Sequence, residues 1–548
     1  MPTPAPNPPR HARPNVNPWA VLAVLCTSIF MLLLDTTIVN NAQRKIQIGL
    51  DAELSQIQWI LDSYILVYAV LLLSFGRMGD IFGRKRFFVA GIVVFTLASG
   101  LCGLSPLIGD WLGVGGATTL IAARALQGFG GAMMMPQTLS IITQVFPPEK
   151  RGSAFGIWGS VVALGAVSGP VIGGAITTYY SWEWIFLINL PIGALGVVAS
   201  ARILPETRDP NASRTLDWGG VLLSGTAIFM LVFALIEGNR IGWCSPMIVA
   251  LLAGATIIFA IFFRWEVRHP EPMVRLELFR IHNFAVSNAI LMLVAFGVFG
   301  IFFPFTLFLQ AGVGYTPLEA GLVTVPMSIM HGTVAPIAGR LTDRYGARPF
   351  IIGGLAMVTI GIALIAWQTT TETTWQRLMI PTSLTGAGMG TVMSPLTSAA
   401  MHDVPQGIAG SASGIFNTMR SIGQILGIAV LGTLLQTRTA TEADTRLDRL
   451  DIAPALQQDL VDKAEASQFE EIVARLDTLP DSIPLLLPPI QHAFADAAQF
   501  TFFTNASIAA VTLLIAFQIR SPQRAEKRAA QPARPRERPQ PVRASGSK

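Results

Sequence analysis

The chain has 548 residues, of which 51% are hydrophobic and 13% are charged, whereas a soluble domain carries about 25% charged residues. Its mean hydropathy is +0.53, and apolar runs of about 20 residues recur, each long enough to cross a bilayer. The runs must be helices, because a segment within lipid has to satisfy its own backbone hydrogen bonds. Composition therefore excludes a soluble enzyme and predicts an all-α integral membrane protein.

The motifs that would indicate a metal site, an ATP-driven pump or a nucleic-acid-binding protein are missing from the sequence. The three cysteines have neither a pairing pattern nor metal-ligand spacing, and no Gly-x-x-x-x-Gly-Lys-Ser/Thr loop occurs. The net charge of +5 comes from short turns and the tail, a pattern typical of membrane topology. We therefore expect no metal, cofactor, catalytic residue or nucleic-acid partner.

The apolar runs predict fourteen spans in the order six, two and six. They lie near 19–40, 57–77, 86–106, 117–142, 153–178, 184–204, 216–236, 246–264, 284–309, 318–338, 349–368, 376–400, 408–435 and 499–519. Five parts follow from this order: an N-terminal tail at 1–18, a six-helix half at 19–204, an inserted pair with its linker at 205–283, a second half at 284–520, and a disordered basic tail at 521–548.

The positive-inside rule predicts that both termini are cytoplasmic and that the protein lies in the cell membrane. Most lysines and arginines lie in the tail and in the turns after spans two, four, eight and ten. The first apolar run is too long for a cleaved export signal. The acidic segment 436–498 is then an extracellular loop, and its helical periodicity leaves open whether it is a lid or a connector.

One turn occurs twice, as Gly-Arg-Met-Gly-Asp-Ile-Phe-Gly-Arg-Lys-Arg at 76–86 and as Gly-Arg-Leu-Thr-Asp-Arg-Tyr-Gly-Ala-Arg-Pro at 339–349. Such a repeat indicates an internal duplication, and duplicated helical halves are typical of secondary transporters. The alternative is a topology signal with a tight turn. We predict a gate, and because Thr342 and Ala347 replace a glycine and a basic residue of the first copy, we expect the first copy to be the working lock. The gate residues are Gly76, Arg77, Asp80, Gly83, Arg84, Arg86 and Asp343.

Span four contains an arginine, Arg124, with Gln127 on the same helix face. A charge within a span is costly and normally faces a polar interior, which predicts a role in proton movement or gating. The alternative is that Arg124 extends to the membrane surface.

Span five is rich in glycine and contains a proline, which predicts a bent and closely packed helix. Its residues Gly165, Gly169, Pro170, Gly173 and Gly174 resemble the antiporter signature of drug-exporting proteins of the major facilitator superfamily. The segments 34–40 and 181–193 are similar to motifs of the fourteen-span drug:proton antiporter branch. The sequence departs from that branch at 41–45 and at Glu183, which stands where arginine is common. The resemblance implies the major facilitator fold, with two six-helix halves and two inserted spans.

Two carboxyl groups are the candidates for proton coupling. Burial in a low dielectric favours the neutral form of a carboxyl, so Asp35 in span one can exchange a proton, and a cationic substrate would compete for its ionised form. Asp62 in span two is a second candidate. The alternative for Asp35 is a hydrated position near the outer end of its span. His331, Asn417 and Arg420 are weaker candidates, for which the alternative is packing.

The predicted function is proton-coupled antiport of bulky amphipathic or cationic drugs by alternating access, with the proton gradient as energy source. The expected partners are the small-molecule substrate, protons and lipid, and we expect a monomer. One alternative is a dedicated exporter of a self-made metabolite or antibiotic. Another is a membrane receptor or scaffold that uses the same fold without transport, although such a protein need not keep Asp35, Arg124 and both turns.

Overall fold

The computed structural model describes residues 16–520, except 53, 208–216, 270–271, 273, 275, 316, 406–407, 451, 466–471, 474 and 477–482. Both predicted tails lie largely or wholly outside the described residues. Secondary structure in the described part is helical, with no strand, as the composition predicts. The first helix illustrates how the sequence sets a boundary. Asn17 accepts a hydrogen bond from Trp19 N at 3.0 Å, and Pro18 occupies the first turn.

The helices follow the predicted order of six, two and six, with short helices between them. Their bounds are α1 Pro18–Leu50, α2 Leu54–Phe82, α3 Arg84–Gly103, α4 Ser105–Leu112, α5 Gly116–Val145, α6 Pro148–Tyr179, α7 Trp184–Leu187, α8 Asn189–Ile203, α9 Trp218–Ile241, α10 Pro246–Arg268, α11 His282–Leu307, α12 Pro317–Tyr345, α13 Arg348–Gln368, α14 Trp375–His402, α15 Ala409–Leu447, α16 Pro454–Glu465 and α17 Ile483–Ala516.

Every predicted span coincides with a helix, and the sixth comprises α7 and α8. In the described part of the chain, 11 helices are long and apolar enough to cross a membrane. The spans outside that set are α5, α6 and α14. Helices α5 and α14 bury polar side chains such as Arg124, Gln127 and Thr385 inside the protein, which lowers their hydropathy without exposing those groups to lipid. The structure is therefore that of a multi-pass, all-helical membrane protein.

The two halves pack through equivalent helices, as a duplication requires. Helix α2 contacts α15 along what we call the first seam, and α12 contacts α6 along the second seam. These pairs correspond, because α2 and α12 are the second helices of their halves, and α6 and α15 are the fifth. The contacts of α5 with α15 and of α14 with α6 repeat the same relation. Each seam therefore joins the second helix of one half to the fifth helix of the other half.

The inserted helices pack beside the first seam. Helix α9 contacts α2 and α15, whereas α10 packs mainly on α9. The Trp59 and Phe233 rings lie 5.8 Å apart between α2 and α9. Trp243, in the turn after α9, donates from Nε1 to Thr433 Oγ1 of α15 at 3.0 Å. The insertion therefore touches both halves.

The acidic segment 436–498 contains more helix than we predicted. Helix α15 continues to Leu447, about three turns beyond the predicted end of span thirteen. Helix α17 begins at Ile483, well before the predicted last span. Leu447, Leu460 of α16 and Ile490 of α17 belong to one small apolar cluster. The described part of this segment is therefore a packed helical unit at the end of the bundle opposite the repeated turns.

Candidate functional site

Asp35 lies near the middle of α1, and its side chain is 0% exposed. The apolar span within α1 ends at Val39, so Asp35 does lie towards one end of the span, but its full burial does not fit the alternative of a hydrated group. A charge in such a place is stable only with partners that satisfy it. The partners come from two other helices of the first half, α5 and α8.

Arg124 of α5 pairs with Asp35, with 2.6 Å between Nη1 and Oδ2, and is 1% exposed. Its Nε donates to Ile60 O of α2 at 3.2 Å. Its guanidinium also lies 4.4 Å from the centroid of the Tyr64 ring, a cation–π contact. Arg124 does not extend to the membrane surface. It faces the protein interior, as the sequence predicts.

Two side-chain amides complete the contacts of the Asp35 carboxylate. Gln127 Nε2 and Asn189 Nδ2 donate to Oδ1 at 2.8 and 2.9 Å. Ser99 Oγ of α3 accepts from the same two amides at 3.2 and 3.0 Å, and donates to Phe186 O at 2.9 Å. We call Asp35, Ser99, Arg124, Gln127 and Asn189 the carboxylate network. Sequence reasoning assigned no role to Ser99 or Asn189, although Asn189 lies within the motif at 181–193.

Asp62 of α2 is half-buried and lies outside the carboxylate network. Glu237 of the inserted helix α9 is 4% exposed and close enough to Asp62 to interact with it electrostatically. The sequence prediction missed Glu237 because it ended span seven at 236. The signal was a lone glutamate directly after an apolar run.

Arg420 of α15 is the weaker candidate that the structure brings towards the network. It forms a side-chain hydrogen bond with Tyr68 of α2, and the Tyr68 ring stacks on Tyr64, with 5.9 Å between centroids. Since Tyr64 also contacts Arg124, a line of side chains connects the carboxylate network with the second half. We call Arg124, Tyr64, Tyr68 and Arg420 the aromatic bridge.

The other two weak candidates remain apart from the carboxylate network in the described structure. Asn417 is fully buried and donates to Ser413 O, one turn earlier in its own helix, at 2.9 Å. His331 is 9% exposed, and its Nε2 has no hydrogen-bond partner among the described residues. The role of each stays a prediction.

The first repeated turn joins the two halves through Asp80. Its Oδ1 and Oδ2 accept from the backbone N–H groups of Gly410 and Ser411 at 2.8 and 2.7 Å, at the start of α15. Arg84 donates to Oδ1 at 2.6 Å, and both of these side chains are fully buried. A carboxylate at a helix N-terminus is favoured by the exposed N–H groups and the helix dipole. We call these contacts the first gate.

The glycines of the first gate allow its backbones to approach closely. A Cβ on Gly76 would lie 2.7 Å from Gly410 O and 2.9 Å from Gly414 Cα. Gly83 has φ of +108°, which other residues rarely adopt. Arg77 is buried. Arg86 is 79% exposed, and its Nε lies 3.4 Å from Glu206 Oε2.

The second repeated turn forms an equivalent gate. Asp343 Oδ1 accepts from Gly152 N at 2.8 Å, and Oδ2 accepts from Ser153 N at 2.9 Å and Ser153 Oγ at 2.5 Å. These groups lie in the first two turns of α6, and a Cβ on Gly339 would clash with Gly152 O. We call these contacts the second gate. It has no counterpart of Arg84, because Ala347 stands there.

The partners of both gates share a sequence that our prediction overlooked. Residues 152–156 read Gly-Ser-Ala-Phe-Gly, and residues 410–414 read Gly-Ser-Ala-Ser-Gly. Each copy supplies the two N–H groups that hold one gate aspartate. The repeat can be recognised in the sequence. Its role depends on which helix N-terminus packs against which turn, and the sequence does not show that pairing.

Helix α6 packs its glycines against the part of α1 that contains Asp35. A Cβ on Gly165 would lie 2.8 Å from the Leu33 Cβ, and one on Gly173 would lie 2.7 Å from Ile38 Cγ1. Gly169 faces Thr37 in the same way. Pro170 and Gly174 lie outside the residues whose surroundings the structure describes. The predicted close packing is present at the three described glycines.

Comparison with known proteins gives a consistent result. A sequence model described as Major Facilitator Superfamily matches residues 21–428. The chain is 35% identical to the multidrug resistance protein Stp of Mycobacterium tuberculosis over 441 residues, 79% of each chain. It is 31% identical to the tetracenomycin C resistance and export protein of Streptomyces glaucescens, over 93% of each chain.

The fold also matches a solved structure. The crystal structure of the human organic anion transporter MFSD10 superimposes with a TM-score of 0.59, over 91% of this chain and 99% of that one. The sequence identity is 13%, so this likeness concerns the fold.

Proposed function

Because the chain belongs to the major facilitator superfamily and has named drug exporters among its relatives, we propose that it is a proton-coupled antiporter that exports bulky amphipathic or cationic drugs from the cytoplasm. The members of this superfamily are carriers, so we assign no enzymatic activity. The observation that carries the proposal is the fully buried carboxylate network around Asp35 and Arg124. A carboxylate in such surroundings is the group required to bind and release a proton during a transport cycle.

Protonation of Asp35 changes the charge balance of the whole network. The ionised carboxylate neutralises Arg124, and a buried ion pair is stable only while both partners are charged. When Asp35 accepts a proton, the Arg124 guanidinium loses its counter-ion. The attraction that holds α1 to α5 at this point is then weakened, and the two helices can shift against each other. This is the conformational consequence that a coupling site needs.

The aromatic bridge supplies a route from this site to the second half. A shift of Arg124 moves Tyr64, on which Tyr68 is stacked, and Tyr68 bonds to Arg420 of α15. Helix α15 also begins at the first gate. One helix therefore connects the carboxylate network with a contact that must break when the protein opens at that end.

Both gates are closed in this structure. With the orientation that the positive-inside rule predicts, the closed end faces the cytoplasm. Opening both gates would admit substrate from the cytoplasm and from the inner leaflet, and closing them would commit it to export. We assign the Asp62–Glu237 pair to the recognition of cationic groups or to a second proton, since two neighbouring carboxyl groups can attract a cation.

A reconstituted transport assay tests the proposed function. Purified protein in liposomes is supplied with a panel of cationic dyes and antibiotics under an imposed pH gradient. We expect at least one compound to accumulate against its own gradient, and accumulation to collapse when a protonophore removes the pH gradient. Movement of the same compounds that is independent of the pH gradient would contradict proton coupling.

The second candidate function is export of one specific antibiotic. The similarity to the tetracenomycin C resistance and export protein, which extends over 93% of each chain, favours this alternative. The same assay separates the two. A general exporter moves several unrelated cations with similar efficiency, whereas a dedicated exporter moves one compound and is not inhibited by the rest.

A further inference from the structure

Asn189 has one polar atom that the carboxylate network leaves unused. Its Nδ2 donates to Asp35 Oδ1 at 2.9 Å and to Ser99 Oγ at 3.0 Å. Its Oδ1 is buried and has no hydrogen-bond partner among the described residues. An unpaired buried carbonyl costs about 1–3 kcal/mol. This orientation of the amide is nevertheless required while Asp35 is ionised, because an amide oxygen that faced the carboxylate would be repelled by it.

The requirement changes when Asp35 takes up a proton. An ionised carboxylate only accepts hydrogen bonds, whereas a carboxylic acid also has an O–H donor that needs an acceptor. Gln127 Oε1 already accepts from Arg124 Nη1 at 2.7 Å and from Cys102 Sγ at 3.7 Å. Ser99 Oγ accepts from two amides and donates to Phe186 O. The Asn189 Oδ1 has no hydrogen-bond partner among the described residues and belongs to a side chain that already contacts Asp35.

We propose that Asn189 is a positioning residue for proton exchange, whose carboxamide rotates by half a turn when Asp35 is protonated. Rotation places Oδ1 where Nδ2 now stands, so that it accepts from the Asp35 O–H. The side chain thus serves both protonation states, as a donor to the carboxylate and as an acceptor for the acid. The inference rests on the proposed function, because it requires Asp35 to exchange a proton.

The rotation exchanges one set of unpaired groups for another. With Asp35 protonated and the amide in its present orientation, the Asn189 carbonyl oxygen and the Asp35 O–H lack partners. After rotation these two groups pair with each other, and the two N–H groups of Asn189, which now donate to Asp35 and Ser99, lose their acceptors. The Asp35 O–H therefore gains a partner only in the rotated form.

The other titratable groups that face Asp35 are few in the described structure. Arg124 faces it from α5, Tyr64 from α2, and Cys102 from α3. Helix α6 packs its glycines here, and α8 contributes Asn189 itself. We assign a proton that arrives at the network between pH 5 and 9 to Asp35.

Infrared difference spectroscopy tests the rotation without any transported compound. Full-length protein labelled with ¹³C at the asparagine side-chain carbonyl is titrated in lipid between pH 9 and pH 5. We expect the carboxylic acid band of Asp35 to appear together with a shift of one asparagine carbonyl band to lower frequency. The shift arises because the Asn189 carbonyl gains a hydrogen bond. Both changes must be absent in Asp35→Asn, and the carbonyl shift must be absent in Asn189→Leu.

Asn505→Leu is the matched control variant. Asn505 of α17 is also fully buried, donates to a backbone carbonyl at 2.9 Å, and has an unpaired Oδ1, but it lies in the second half. This variant should retain both infrared changes. In Asn189→Leu, the carboxylic acid band of Asp35 should still appear on titration, but without the accompanying carbonyl shift.

The possible results separate this inference from the proposed function. If Asp35 titrates and the asparagine carbonyl band stays in place, Asn189 is a fixed donor and the rotation is wrong. If Asp35 does not titrate across the range, proton coupling through Asp35 is wrong as well. The labelled wild-type protein alone decides between these results, so the test stands even if Asn189→Leu does not fold.

Discussion

At the scale of single residues, the central contact is the ion pair between Asp35 and Arg124, both almost fully buried. Two charges in a low dielectric repay their desolvation only when geometry and hydrogen bonds are good. Here one carboxylate receives an arginine and two amides. The pair is therefore better explained by a functional requirement than by stability, because burying an apolar pair of similar size would cost less free energy.

Arg124→Gln should destabilise the protein by about 3–5 kcal/mol, because it leaves the Asp35 carboxylate buried without its counter-ion. Adding Asp35→Asn should restore most of the loss, since the double variant has no buried charge at this position. Thermal unfolding of the purified variants measures both effects. Arg86→Gln is the control, because Arg86 is 79% exposed and should change stability little. Additive losses in the double variant would show that the two residues do not interact.

Sequence predicted part of this network. Asp35 and Arg124 followed from the cost of charges inside spans and from the family resemblance. Ser99 and Asn189 did not follow, because serine and asparagine are common in membrane helices. Their importance arises only when α3 and α8 bring them within 3.0 Å of each other.

At the scale of helices, each gate combines a repeated turn with the start of a helix in the other half. The sequence predicted the turns, since glycine, aspartate and arginine recur at fixed spacing. It did not predict their partners, because the pairing of α2 with α15 and of α12 with α6 depends on long-range packing. The expectation that the first copy is the working lock remains a prediction, because both gates are closed here.

Gly339→Ala should hinder closure of the second gate, because its Cβ would meet the backbone oxygen of Gly152. Spin labels on the exposed residues 150 and 344 would report the distance between the halves at this end. We expect the variant to shift the distribution towards longer distances and to lower transport. The matched control is Gly332→Ala in the same helix, whose Cβ would meet nothing within 4 Å. Identical distance distributions for the two variants would contradict the second gate.

At the scale of the whole molecule, the inserted pair makes the two seams unequal. Helix α9 lies along the first seam and contacts α2 and α15. It also places Glu237 near Asp62. The sequence predicted the insertion from its position between two equal halves. It did not predict where the insertion packs, since an apolar helix pair carries no signal for its neighbour.

Orientation is a testable property of the whole molecule. Cys244 is exposed between α9 and α10, whereas Cys26 and Cys102 are buried. If the gates face the cytoplasm, a membrane-impermeant thiol reagent should label Cys244 in intact cells. A cysteine introduced at Lys150, near the second gate, should be labelled only after the membrane is permeabilised. The reverse pattern would place both termini outside the cell.

The most direct test of the account is the behaviour of Asp35→Asn in liposomes that contain a compound the wild-type protein exports. We predict that the variant loses accumulation driven by a pH gradient but still exchanges labelled for unlabelled compound across the membrane. Asp110→Asn, in which the substituted carboxyl is exposed on α4, should behave like the wild type. If Asp35→Asn still accumulates the compound in response to the pH gradient, Asp35 does not carry the coupled proton and the central claim is wrong.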